Sequence, residues 1–155
     1  MIIYFAADHA GFELKEKIKA YLKYSNHELI DFGAFKYDPE DDYPDFIFPA
    51  MKALSEDLEK GIDSRGIILG GSGQGEAIIA NRFKQIRAVV CADNNDLTAK
   101  VKVWREHTNS NVLSFGARFI DEKNAIDVVK LWLETPFTAE LRHLRRLRKI
   151  ASLAF

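Results

Sequence analysis

Residues 66–76, Gly66-Ile67-Ile68-Leu69-Gly70-Gly71-Ser72-Gly73-Gln74-Gly75-Glu76, lead directly into Ala77-Ile78-Ile79-Ala80-Asn81-Arg82-Phe83. The first four residues read as a short buried strand, the last seven as a helix, and the glycines between them as a strand-to-helix loop. Working outward, the same alternation recurs. Residues 2–7 form a first apolar run, and Leu14, Ile18, Tyr21 and Leu22 then recur at helical spacing, opposite Glu13, Lys15, Glu16, Lys17 and Lys19. A strand is expected near 28–32, ended by Gly33. The acidic, proline-bearing residues 37–45 read as a loop that continues no regular element. A helix over about 46–60 presents Ile47, Ala50, Leu54 and Leu58, with Gly61 as its stop. Further strands are expected at 87–91 and 111–115, and helices at 96–106 with Asp96 as cap, at 121–134 opened by Asp121, and after Pro136. Strands that alternate with helices predict an α/β fold: a doubly wound, five-stranded parallel sheet, Rossmann-like, with an extended C-terminal helix.

The 155 residues fit one domain, 1–155, in which about 137–155 form the C-terminal helix. With 22 Lys plus Arg against 23 Asp plus Glu the formal charge is −1, so no global field favours nucleic acid or an anionic membrane as partner. No window approaches the ~20 apolar residues of a spanning helix. The first apolar run lacks the basic flank of a signal peptide. Cys91 is the lone cysteine, which excludes an intrachain disulfide and suits a reducing compartment such as the cytoplasm.

Ligands of open parallel sheets bind outside the carboxyl ends of the strands, where this chain carries Asp8 and His9, the glycine loop with Ser72 and Glu76, and Gly116 with Arg118. The loop fails three familiar patterns. It has no Gly-Lys-Ser/Thr, Glu76 stands where a dinucleotide fingerprint needs glycine, and Gln74 stands where a nucleophile elbow needs it. A tight connection explains one or two glycines. Four of the chain's nine within six residues point instead to backbone N–H groups that approach an oxyanion or phosphate at a helix N-terminus. Glu76 in the first helical turn suits the macrodipole, and beside an oxyanion site it is also placed to accept a proton from carbon. His9 and His107 lie just after and just before strands, positions suited to acid-base work as well as to packing. Arg142, Arg145, Arg146 and Lys149 share one helical face with no acid among residues 141–149, which reads either as a solvated face or as a phosphate clamp.

Asp8-His9-Ala10-Gly11, Asp42-Tyr43-Pro44, the glycine loop through Glu76, Arg105-Glu106-His107, Asn111-Val112-Leu113, Phe115-Gly116-Ala117-Arg118 and Arg142-His143-Leu144-Arg145-Arg146 together resemble ribose-5-phosphate isomerase type B over nearly the whole chain. That family includes galactose-6-phosphate and allose-6-phosphate isomerases. The resemblance implies a homodimer or dimer of dimers with sites shared between subunits, and no metal or other cofactor. By position it makes Glu76 the base of a cis-enediol mechanism, in the branch where glutamate replaces a cysteine at the position of Gly70. Ser72 with the amides of Gly71, Gly73 and Gly75 would hold the enediolate oxygen, and His107 would open the furanose ring. Asp8 and Tyr43 would lie near sugar hydroxyls, and His9, Arg118, Arg142 and Arg146 would bind phosphate. Thr108 takes a substrate-contacting position where the family usually has Asn, with Asn109 one place later. The expected reaction is interconversion of ribose 5-phosphate and ribulose 5-phosphate. A six-carbon sugar phosphate is the near alternative, and a non-catalytic sugar-phosphate-binding module the distant one.

Overall fold

A computed structural model describes residues 1–153. The elements run β1 (Ile2–Ala7), α1 (His9–Leu22), β2 (Glu28–Asp31), α2 (Pro44–Glu59), β3 (Ser64–Gly70), α3 (Gln74–Ala80), β4 (Ala88–Cys91), α4 (Leu97–Lys102), a π-helical turn (Val103–His107), β5 (Val112–Gly116), α5 (Glu122–Glu134) and α6 (Leu141–Ala151). All pairings are parallel, and the sheet order is β2-β1-β3-β5-β4. The expected five-stranded, doubly wound sheet is therefore observed. Alternate side chains feed the two faces. Ile3, Phe5, Ile67, Leu69, Leu113 and Phe115 meet α1, α4 and α5, while Tyr4, Ala6 and Ile68 meet α2 and α3. Each large side chain so buried contributes roughly 1.5–3 kcal/mol. Phe5, fully buried, is a position where truncation to Ala would cost about 3–5 kcal/mol.

The winding positions the site. From β1 the chain steps to β2 on one side, then returns past β1 to β3 on the other. The connections after β1 and β3 consequently leave toward opposite faces, α1 to one and α3 to the other. Between them opens the crevice of a topological switch point.

Local expectations change in several places. Lys15, read as solvent-facing, is fully buried, and its Nζ donates to Asp31 Oδ1 (2.8 Å) and Ala34 O (2.6 Å); Tyr21, read as core, is 44% exposed. A long amphiphile can reach a carboxylate from beneath a helix, which periodicity does not reveal. The loop before α2 ends sooner than expected, because Pro44 sits at the first helical position, where a missing N–H costs nothing. Helix α3 stops at Ala80, not Phe83, since the Asn81 amide pairs with Ala88 on β4 in both directions (2.9 and 3.0 Å). Asp96 makes no side-chain cap and adopts φ 46°, and the helix it precedes widens to a π-turn at Val103. Asp121 caps α5 as expected, accepting from Asn124 N at 2.8 Å. Residues 137–140 precede α6 rather than join it, and 154–155 of the expected helix lie outside the described residues.

Candidate active site

The crevice between β1 and β3 has a volume of about 400 Å³. Asp8, His9 and Ala10 form one wall, and Gly71, Ser72, Gly75 and Glu76 the other, with Tyr43, Arg118 and Phe119 at the rim.

Glu76 is the more deeply buried of the two acids that line this crevice, 3% exposed against 7% for Asp8. Burial raises its pKa above the ordinary carboxylate range, and the nearby negative charge of Asp8 adds to the rise; a bond from its own backbone N–H opposes both. Gly70 makes room for it. A Cβ at residue 70 would fall 1.7 Å from Glu76 Oε1, so the carboxylate fills the space that any side chain at 70 would take. A carboxylate on residue 76 and a side chain on residue 70 are mutually exclusive occupants of one position.

The loop carbonyls are committed to the protein. Gly70 O accepts from Ala117 N (2.8 Å), Gly71 O from Arg118 N (3.2 Å), and Gly73 O from Ala77 N (3.2 Å) and Ser114 Oγ (2.6 Å). With the carbonyls tied back, the N–H groups of Gly71, Ser72, Gly73 and Gly75 have no protein partner among the described residues. Gly73 supplies the left-handed turn (φ 75°) that starts α3, a conformation costly for residues with a Cβ. Gly73 is itself buried and does not line the crevice, so of the three glycine amides only those of Gly71 and Gly75 sit at its surface.

Asp8 caps α1, its Oδ1 accepting from Ala10 N (3.0 Å) and Gly11 N (3.1 Å). His9 is gripped by a residue the sequence reading left out. Asp41 Oδ1 accepts from His9 N (2.9 Å) and pairs with Nδ1 (2.7 Å), which raises the His9 pKa. The same irregular loop thus brings Asp41 to His9 and, as expected, Tyr43 to the crevice. The only available signal was a carboxylate two residues before Tyr43. Asp8, His9 and Asp41 also offer ligand atoms within 4.8 Å of one another. One oxygen of each acid is already spent on backbone N–H groups, so the trio reads as a capped helix start with a histidine-carboxylate pair. Cys91 is no nucleophile, because burial pushes its thiol up to about 12.

His107, Thr108, Arg142 and Arg146 do not line this crevice. His107 ends the π-turn and stacks on His143. Thr108 Oγ1 donates to Trp104 O (2.6 Å), and Asn109, at φ 47°, accepts from Arg105 Nη1 (3.0 Å). The Thr108 hydroxyl is thereby spent as a donor, whereas only the oxygen of the Asn109 amide is engaged. Arg142 and Arg146 are exposed on α6, and Arg142 pairs with Glu140 (2.8 Å), an acid just outside the acid-free span. A larger hollow of about 530 Å³, lined in part by Phe83, Val89 and Ile150, contains no acid or histidine, its charged groups being Arg82, Lys84 and Arg87.

An α/β protein whose switch point sets a buried, protonatable carboxylate against unpaired amides is equipped to bind a small anionic molecule and move a proton on it. Comparison with known proteins makes that class specific: residues 3–150 match the family model described as Ribose/Galactose Isomerase, and the chain belongs to this family. Ribose-5-phosphate isomerase B of Mycolicibacterium paratuberculosis is 39% identical over 151 residues, 97% of this chain and 90% of the relative. The crystal structure of ribose-5-phosphate isomerase B from Mycoplasma genitalium with bound ribulose-5-phosphate superposes with a TM-score of 0.87 at 31% identity, covering 97% of this chain and 93% of the other. That of a ribose 5-phosphate isomerase from Thermotoga maritima gives 0.84 at 38% identity, covering 98% of each. The resemblance carried by the motifs is thus borne out for family and fold.

Proposed function

We propose that this chain is an aldose-ketose isomerase that interconverts ribose 5-phosphate and ribulose 5-phosphate through a cis-enediol. The observation that carries the reading is Glu76, buried, with a raised pKa, and set beside backbone amides with no partner among the described residues. In the aldose-to-ketose direction its carboxylate takes the C2 proton of the open-chain sugar. The C–H electron pair becomes the C1–C2 double bond, and the carbonyl electrons move onto O1. Deprotonation beside a carbonyl is slow in water because that oxyanion is unstable. Fixed donors at Gly71, Gly75 and Ser72 would lower the barrier by several kcal/mol. Glu76 then returns the proton to C1 while the O2 hydroxyl proton passes to O1. The step reduces C1 and oxidises C2 within one molecule, so it needs no external oxidant or reductant. His107 opens the furanose, Asp8, Tyr43 and Thr108 contact the sugar, and His9, Arg118, Arg142 and Arg146 hold the phosphate.

His107, Thr108, Arg142 and Arg146 do not line the Glu76 crevice of their own chain, and α6 buries only His143 while leaving Leu141 86% exposed. We therefore assign them to the site of a second copy, in a homodimer or dimer of dimers. The single buried cysteine suits a reducing compartment such as the cytoplasm, and no helix among the described residues is long and apolar enough to cross a membrane.

A coupled assay with five- and six-carbon aldose phosphates tests the reaction. Turnover of ribose 5-phosphate is expected. Preference for a six-carbon substrate would move the assignment within the family, and binding without turnover of any would reject the enzyme. The shared site is tested by mixing Glu76→Gln chains with Arg142→Ala/Arg146→Ala chains. Refolded together, a random 1:1 mixture should regain about a quarter of wild-type activity, since half of the dimers are mixed and each carries one intact site.

A further inference from the structure

His143 is 2% exposed, and no step above uses it. Its ring stacks on His107, with centroids 4.3 Å apart and planes inclined by 15°. Its Nε2 accepts from Arg142 Nε at 3.3 Å, so this nitrogen carries no proton in the bonded arrangement. The two contacts join the end of the π-turn, which carries the proposed ring-opening histidine, to the helix face that carries the proposed phosphate arginines. Thr138 Oγ1 strengthens the same junction by donating to Glu106 O (2.8 Å), one residue before His107.

We propose that His143 is a positioning residue for both groups, its ring fixing the plane of His107 and its Nε2 holding the Arg142 guanidinium. The inference rests on the reading of His107 as the ring-opening group. Stacking restricts rotation of an imidazole that has no other resolved side-chain bond. The accepted bond keeps a flexible arginine from swinging wholly onto Glu140, whose Oε2 competes for it at 2.8 Å. The charged and titratable groups around His143 are His107 on the π-turn and Glu140, Arg142 and Arg146 on its own helical segment; burial and the surrounding cations lower its pKa, which keeps the acceptor available. A misplacement of the order of 1 Å at a reacting group is enough to lower rates by about 10²-fold, so modest loosening here is measurable.

The two contacts separate under substitution. Steady-state kinetics with ribose 5-phosphate are expected to give, for His143→Phe, which keeps a stacking ring but no acceptor, kcat within about threefold of wild type and KM raised about fivefold. For His143→Gln, which keeps a polar acceptor but no ring, kcat should fall about tenfold with KM nearly unchanged. In a His107→Asn background the kcat loss from His143→Gln should vanish, because the ring it positions is gone. Parallel loss of kcat and KM in the Phe and Gln variants would overturn the proposal, as would a Gln effect that persists in full without His107. Wild-type turnover by His107→Asn alone would overturn the role of His107 itself, and this proposal with it. Melting curves of the two conservative variants confirm that folded protein is being compared.

Discussion

The Glu76 crevice and the cationic face of α6 carry complementary chemistry, and they are built in opposite ways. The crevice is made by backbone at the centre of the sheet. Its loop carbonyls are bonded to β5 and the turn after it, its carboxylate is 3% exposed, and a glycine is required beside it. The α6 face is made of long side chains on a peripheral helix in which only His143 is buried. A proton-transfer group needs a fixed position and a tuned pKa, which a buried site supplies. A phosphate needs charge that can close around it, which exposed arginines supply.

The sharpest way to break this contrast is Glu76→Gln. Turnover should fall roughly 10³-fold with little change in KM, and near-normal turnover would remove the crevice from the chemistry. The same variant tests the pKa. A carboxyl raised in the folded state favours folding below the ordinary carboxylate range, and that contribution is lost as pH rises through its folded value. Melting temperatures of wild type and Glu76→Gln should therefore diverge in favour of the variant as pH is raised from acid toward neutrality. In the wild type, kcat/KM should fall as pH drops through a value above the usual carboxylate range.

Gly70→Ala comes next. Its methyl group would displace the carboxylate and should cost about 10² in kcat, whereas Gly61→Ala, remote from the crevice with nothing within 4 Å, should leave kcat intact and cost only stability, since its φ of 74° strains a residue with a Cβ. Asp41→Asn is smaller: it weakens the hydrogen bond and removes the charge that raise the His9 pKa, so KM should rise several-fold and its increase with pH should begin at lower pH. An unchanged KM-pH profile would detach Asp41 from phosphate binding. Ser114→Ala, which frees the Gly73 carbonyl, should lower kcat by only about two- to fivefold, since the Ala77 N–H still holds that oxygen.

Much of this was legible in the chain. The strand-loop-helix at 66–83 placed the site at a strand end, and Asp8, His9, Tyr43, Ser72, Glu76 and Arg118 do converge there. Asp41 was not legible, because its partner His9 is 32 residues distant and their encounter depends on the path of an irregular loop. The Lys15–Asp31 pair escaped for a similar reason: a burial pattern based on hydrophobicity assigns lysine to solvent.

The sequence by itself determined the alternation of strands and helices, the glycine loop and the family, since these rest on periodicity and on residue types with distinctive backbone freedom. Tertiary structure alone decided that the Glu76 carboxylate occupies the side-chain space of Gly70, that Asp41 grips His9, that Gly73 turns the chain without facing the ligand, and that His143 bridges His107 and Arg142. Each of these depends on distances of a few ångströms between side chains or loop segments, which the packing of helices against the sheet sets and which local pattern does not encode.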